Sequence, residues 1–313
     1  MTWSQSRSRA FRYERFAAVV SVVVSVALLA LKFAAYLLTG SAAIFSDALE
    51  SIVNVIASGF ALYSVILAHA PADERHPYGH GKIEFLSAGM EGGMIFVAAL
   101  LIAGRAVEHI IRGPKVEHVD LGLVLIVVAM LINGATGFYL IANGRRHGSI
   151  ALEADGKHLL GDAITSAAVV VALLAVMFTR WQYVDPIAAI VVALYLVAIG
   201  FSLLRRSTAG LMDEQDVADD RMLRGVLDSH VGAGGKEPRI CSYHKLRHRH
   251  SGRFHWVDFH IVVPAMWNIE RGHETASSIE YEIEQALGEG KATAHVEPCK
   301  DPTCGTCFAA RSS

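Results

Sequence analysis

Two pairs of polar residues, Glu50/Asn54 and His158/Asp162, each lie four positions apart in otherwise apolar stretches. Side chains at i and i+4 share one face of an α-helix, about 6 Å apart along its axis. If the two stretches are helices that pack together, one imidazole and three oxygen ligands converge on a point. Four ligands of these types suit a tetrahedral, zinc-type cation. Glu50 and Asp162 bring two negative charges, which a divalent cation cancels and which protons relieve when the cation leaves. A metal–proton antiporter needs such a site, one that holds either a divalent metal or protons. Asp47 lies seven residues before Asn54 on the same face and is a possible helper; alone, such an aspartate is often interhelical glue. Glu91 either faces a water-filled cavity or caps its helix.

A second constellation is Asp73, His76 and His80 in "DERHPYGHGK", where Pro77 and Gly79 let the chain turn so that both imidazoles face one way. Three such ligands with an open position resemble a weak zinc site. The same residues also fit a solvated, helix-ending loop.

The elements that must carry these residues are membrane helices. An ionisable group in a spanning helix costs ~2.5–3.5 kcal/mol on insertion and needs a reason to be there. The chain has 313 residues, 53% of them hydrophobic, and a mean hydropathy of +0.38, too apolar for an ordinary soluble protein. Six windows reach the roughly 20 residues a bilayer requires: Phe16–Leu38, Ala42–Leu67, Phe85–Ile111, Leu121–Ala142, His158–Phe178 and Val184–Leu204. A seventh, around Ile261, is short and alternates like a strand. No cleavable signal peptide is expected, because the apolar run behind the basic first residues is too long. Arg7, Arg9, Arg12 and Arg15, then Arg75 and Lys82, Arg145, Arg146 and Lys157, and Arg205 and Arg206 all fall on one side; the other side offers Arg112, Lys115 and Arg180. The positive-inside rule then puts both termini in the cytoplasm of a multi-pass protein of the cell membrane. A net charge of −2 gives no general pull towards nucleic acid.

From about Ser207 the sequence turns polar and holds eight of the fifteen histidines and all four cysteines. Residues 1–206 form the expected transport domain and 207–298 a cytoplasmic domain, with 299–313 as a cysteine-containing tail. Helical spacing over Val217–His230, strands over Arg239–His250 and Arg253–Pro264 joined at Ser251-Gly252, an amphipathic helix over Glu270–Leu287 and a last strand over Ala292–Glu297 predict a small α+β domain of order αββαβ. Strand parity puts His244, His248 and His250 on one face, and Asp258 and His260 on one face. His248, His250 and His255 read as solvated surface residues. Cys299, Cys304 and Cys307 are tail thiols that either capture a soft metal or belong to a disordered segment.

Several stretches together resemble the cation diffusion facilitator family of divalent metal transporters. "LLTGSAAIFSDALESIVNVIAS" is similar to the end of its first helix and its second helix, "PADERHPYGHGKIE" to its loop between helices two and three, "ADGKHLLGDAITS" to the HxxxD motif of its fifth helix, and "AHVEPC" to the last strand of its cytoplasmic domain. The resemblance spans about residue 12 to Cys299. It implies six transmembrane helices followed by a metallochaperone-like domain, a homodimer, and export of divalent metal driven by protons. It places the transport site on Glu50, Asn54, His158 and Asp162, a loop metal site on Asp73, His76 and His80, and cytoplasmic metal ligands on His244, His260, His273, His295 and Glu297. It also implies an interface salt bridge from Lys82, with Asp213 as the candidate partner. The helix-two pair departs from the usual pattern, which is Asp or His followed by Asp. An uncharged Asn54 points either to a cation harder than zinc, such as Mn2+ or Fe2+, or to help from Asp47.

The sequence therefore predicts an alternating-access exporter, not an enzyme, whose substrates are protons and a divalent metal. Zn2+ is the leading cargo, and Mn2+, Fe2+, Co2+ and Cd2+ are the others considered. The rival is a membrane-tethered metal sensor or scaffold with little transport. A channel fits less well, because the polar residues cluster at one level instead of continuing through the bilayer.

Overall fold

A computed structural model describes residues 3–39, 42–112, 121–179 and 183–307. Two compact units divide the chain, Met1–Leu211 and Met212–Ser313. Among the described residues the first contains six helices: α1 (Trp3–Thr39), α2 (Ala42–Ala68), α3 (Ile83–Arg112), α4 (Leu121–His147), α5 (Ile150–Thr179) and α6 (Val184–Leu211). Stretches within five of them (Phe11–Leu37, Ser51–Ala68, Ile83–Arg112, Ile126–His147 and Pro186–Leu211) are long and apolar enough to cross a membrane by length and composition. α5 carries Glu153, Asp155, Lys157 and Asp162 in its first half. Pro186 sits in the first turn of α6, where its missing N–H breaks no helical bond.

Glycine lets these helices approach closely. A Cβ on Gly156 of α5 would lie 2.8 Å from the Gly137 carbonyl oxygen of α4, and a Cβ on Gly137 would lie 2.7 Å from the Gly156 oxygen. Gly92 of α3 and Gly200 of α6 meet the same way, at 3.0 and 2.9 Å. Small-residue crossings of this kind gain dispersion contacts where lipid supplies no hydrophobic drive between helices. Polar contacts fix the start of α5: Glu84 of α3 accepts hydrogen bonds from Ser149 Oγ at 2.8 Å and the Ala151 amide at 3.4 Å. One turn on, Glu153 pairs with Lys157 at 2.9 Å and with Arg206 of α6 at 3.0 Å.

The second unit contains α7 (Val217–Ser229), β1 (Ser242–Ser251), β2 (Phe254–Val263), α8 (Ile269–Leu287) and β3 (Gly290–Pro298), the expected αββαβ order. Asp216 caps α7 by accepting from the amides of Ala218 and Asp219, and Asn268 caps α8 by accepting from Arg271. The sheet order is β1-β2-β3, with β2 antiparallel to β1 and parallel to β3. Its inner face supplies Val257, Phe259 and Ile261 to a core closed by Leu223 and Leu227 of α7 and Ile279 and Ile283 of α8.

One parity expectation fails. His244 pairs with His260, but the next regular pair is Arg247 with Asp258, so the register shifts between them. Lys245 adopts a φ of 52°, the left-handed conformation of a bulge. The extra residue reverses every later side chain of β1. His244 stays on the outer face with His260, whereas His248 and His250 turn to the inner face, opposite Val257 and His255. His248 is buried rather than solvated for that reason.

Candidate metal sites

α2 and α5 bring Asn54, His158 and Asp162 together. Asn54 donates from Nδ2 to Asp162 Oδ2 at 2.7 Å, and its Oδ1 accepts from His158 Nε2 at 3.0 Å. The amide thus bridges the two α5 side chains, using its donor on one and its acceptor on the other. Glu50 lies one turn earlier on α2; its side chain, like that of Asp47, lies outside the described residues. Asn54 and His158 are buried, and both, with Asp162, Thr165, Met90 and Arg105, line a cavity of about 690 Å³.

Two further carboxylates stand beside this trio. Glu91 of α3 is fully buried, and its Oε2 lies 3.9 Å from His158 Nδ1. Neither Glu91 oxygen has a hydrogen-bond partner among the described residues. Glu91 therefore faces inward and caps nothing. Asp155 is also buried and accepts from Ser21 of α1 at 2.6 Å. Asp155 was not singled out in sequence, although its spacing to His158 and Asp162, i, i+3 and i+7, is helical and was legible there.

Asp73, His76 and His80 also converge, with their ligand atoms within 4.8 Å of one another. An Asx turn builds this loop: Asp73 Oδ1 accepts from the amides of Arg75 at 2.9 Å and His76 at 2.6 Å. The His76 amide is the main reason the Asp73 carboxyl is held below its ordinary range, with burial opposing it and the His76 ring and Arg75 amide adding to it. His76 Nδ1 and His80 Nε2 lie 3.1 and 3.4 Å from the two carboxylate oxygens. Gly79 supplies the φ of 79° that brings the second imidazole round.

In the second unit, His244, His260 and His295 form one row across all three strands, since His260 pairs with His244 on one side and with His295 on the other. Glu297, two residues further along β3, faces the same way. Its carboxylate contacts His260 at 2.8 Å, His244 at 3.6 Å and His295 at 3.8 Å. The hydrogen bond with His260 is the main reason its carboxyl is held below the usual range. His273 stands apart on α8 and lines a cavity of about 400 Å³ that Glu297 also borders. Lys82 donates to the Leu211 carbonyl at 3.4 Å, and Asp213 pairs with Arg249 at 3.6 Å.

Two clusters were not legible in sequence. Asp219 of α7 lies 3.0 Å from His250 and 3.2 Å from His255, and His248 completes a group with ligand atoms within 4.8 Å. The β1 bulge creates it. The other joins Cys299, Cys304 and Cys307 to Cys241, again within 4.8 Å. Through Cys307 the tail is thus folded against the domain rather than disordered.

Two family models match the chain: the cation efflux transmembrane domain over residues 18–212 and the cation efflux protein cytoplasmic domain over residues 235–299. Among curated relatives, an uncharacterized transporter of Synechocystis, sll1263, is 37% identical over 93% of this chain and 92% of its own length. The cation-efflux pump FieF of Shewanella oneidensis is 27% identical over 92% and 96%. The magnetosome protein MamB of Paramagnetospirillum magneticum is 29% identical over 80% and 82%.

Proposed function

This chain belongs to the cation efflux family, the cation diffusion facilitators, and from that premise we propose that it exports a divalent cation from the cytoplasm in exchange for protons. Membership makes it a multi-pass membrane transporter of divalent metal and not an enzyme. The finer reading is that Zn2+ is the leading cargo, that Glu50, Asn54, His158 and Asp162 bind it, and that the protein works as a homodimer in the cell membrane with both termini cytoplasmic. The observation that carries this reading is the junction of Asn54, His158 and Asp162 inside a cavity, with a buried carboxylate behind it.

The geometry suggests how protons couple to metal. His158 Nε2 donates to Asn54, so it must give up its proton before it can ligate. Glu91, beside the other ring nitrogen, is placed to pass a proton to Nδ1 as Nε2 loses its own to the cavity, and Asp162 must release Asn54 to bind the cation. Metal entry and proton departure then use the same atoms, which favours obligate exchange over a leak. His244, His260, His273, His295 and Glu297 would bind regulatory metal in the cytoplasmic domain, and Lys82 with Asp213 would brace the dimer. Asp73, His76 and His80 would hold a weaker loop ion.

The test is uptake into proteoliposomes under an imposed pH gradient, for zinc, manganese, iron(II), cobalt and cadmium, with the intact chain and Asp162→Ala. Flux that needs both the gradient and Asp162 supports the antiporter and identifies the cargo. Absence of flux for every metal, with the cytoplasmic domain still binding, would replace it with the sensor or scaffold.

A further inference from the structure

The four cysteines come from three separate places in the second unit. Cys241 directly precedes β1, Cys299 directly follows β3, and Cys304 and Cys307 lie in the tail. Because β1 runs antiparallel to β2 and β3 parallel to it, the start of β1 and the end of β3 meet at the same end of the sheet. Backbone bonds fix both positions there: the Cys241 amide donates to the Val262 carbonyl at 2.8 Å, and the Cys299 amide to Val263 at 2.7 Å. The tail then turns at Asp301, whose carboxylate accepts from the Thr303 amide at 2.8 Å and hydroxyl at 2.7 Å. That turn returns Cys304 and Cys307 to the strand ends.

The result is four sulfurs within 4.8 Å of one another, with Cys241 and Cys307 at 3.6 Å. A tetrahedral ion with Zn–S bonds of about 2.3 Å needs sulfurs about 3.8 Å apart. A disulfide needs about 2.05 Å, so the cluster sits near the first spacing and far from the second. All four cysteines are free thiols. Packing of the tail is slight, with Thr306 its buried residue among those described. No residue after Val296 belongs to the apolar core among the described residues, and Lys300 to Thr303 are exposed.

We propose that Cys241, Cys299, Cys304 and Cys307 form a tetrathiolate site for a resident Zn2+-class cation, which staples the C-terminal tail to the end of the sheet. With four protein ligands the site is closed, so its ion does not exchange on the time scale of transport. It shares no residue with the proposed cargo site or with the row of His244, His260 and His295, and does not depend on the antiport reading. It also explains why Cys241, 58 positions before Cys299 in the chain, lies with the tail cysteines.

The experiment is metal analysis of the purified full chain in detergent under reducing conditions, after dialysis against EDTA at neutral pH. The expected result is one zinc retained per chain and released by a mercurial thiol reagent. Exchange with Co2+ should give strong thiolate-to-cobalt charge transfer and tetrahedral d–d bands. Cys241→Ser, and separately a stop after Lys300, should lose both the retained ion and the cobalt spectrum, whereas Asp162→Ala and His260→Ala should keep them. Should Cys241→Ser fail to fold, the wild-type cobalt spectrum and mercurial release decide. Cobalt bound without thiolate bands, full zinc retention in Cys241→Ser, or fewer than four titratable thiols with no retained metal would each overturn the site.

Discussion

Asn54→Asp tests the geometry of the proposed transport site most directly. In the wild type the Asn54 amide donates to Asp162 at 2.7 Å. The variant replaces that donor with a carboxylate oxygen at the same separation. Two unit charges 2.7 Å apart at an effective dielectric of about 20 repel by about 6 kcal/mol. Each pH unit changes proton availability by only about 1.4 kcal/mol. At neutral pH the new pair therefore cannot hold both charges without a cation, and keeps one shared proton. A divalent ion entering the site must displace that proton. The expected outcome is one additional proton released per cation bound at the transport site, and a plot of log Kd against pH steeper by about one. Calorimetric titration with Zn2+ in two buffers of different ionisation enthalpy reads the proton count, with Asp162→Ala as the background from all other sites. Equal proton release in wild type and variant would refute the contact and the coupling built on it.

Two further outcomes follow from the packing and the electrostatics. Gly156→Ala puts a methyl group 2.8 Å from the Gly137 carbonyl and the Ile141 amide. Backbone cannot yield cheaply, so the variant should lose about 1–3 kcal/mol of stability and most transport, read as a fall in thermal midpoint in detergent and in flux. Glu297 is held below the ordinary carboxylate range, chiefly by His260. A depressed carboxyl keeps its charge, and the stabilisation that charge brings, at neutral pH, and loses both only as pH falls through the lowered value. Acid release of metal from this cluster should therefore follow proton competition at the imidazoles, with Glu297 still ionised. Glu297→Gln should weaken Zn2+ binding at neutral pH by about tenfold or more and move release to higher pH, while leaving the slope of log Kd against pH unchanged, measured by zinc titration across pH.

Much of this protein was legible in the sequence because the signals are local. Long apolar runs specify spanning helices regardless of neighbours. Alternation around Ile261 and the Ser251-Gly252 turn specify a hairpin. The i,i+4 spacing of His158 and Asp162 puts both on one helical face before any partner is known. The tertiary structure decided what depends on distant chain segments. Asn54 became a bridge because α2 sets its amide between His158 and Asp162. Glu91 turned inward because α3 packs that face towards α5. A single left-handed residue, Lys245, sent His248 and His250 to the inner face of the sheet, and parity counting carries no trace of such an inserted residue. Cys241 met the tail cysteines only because an antiparallel and a parallel pairing bring one strand's start and another's end to the same end of the sheet. The sequence by itself determined which elements form and which side chains share a local face. Their meeting across 66 or 108 positions required the fold, since no local periodicity encodes such a contact.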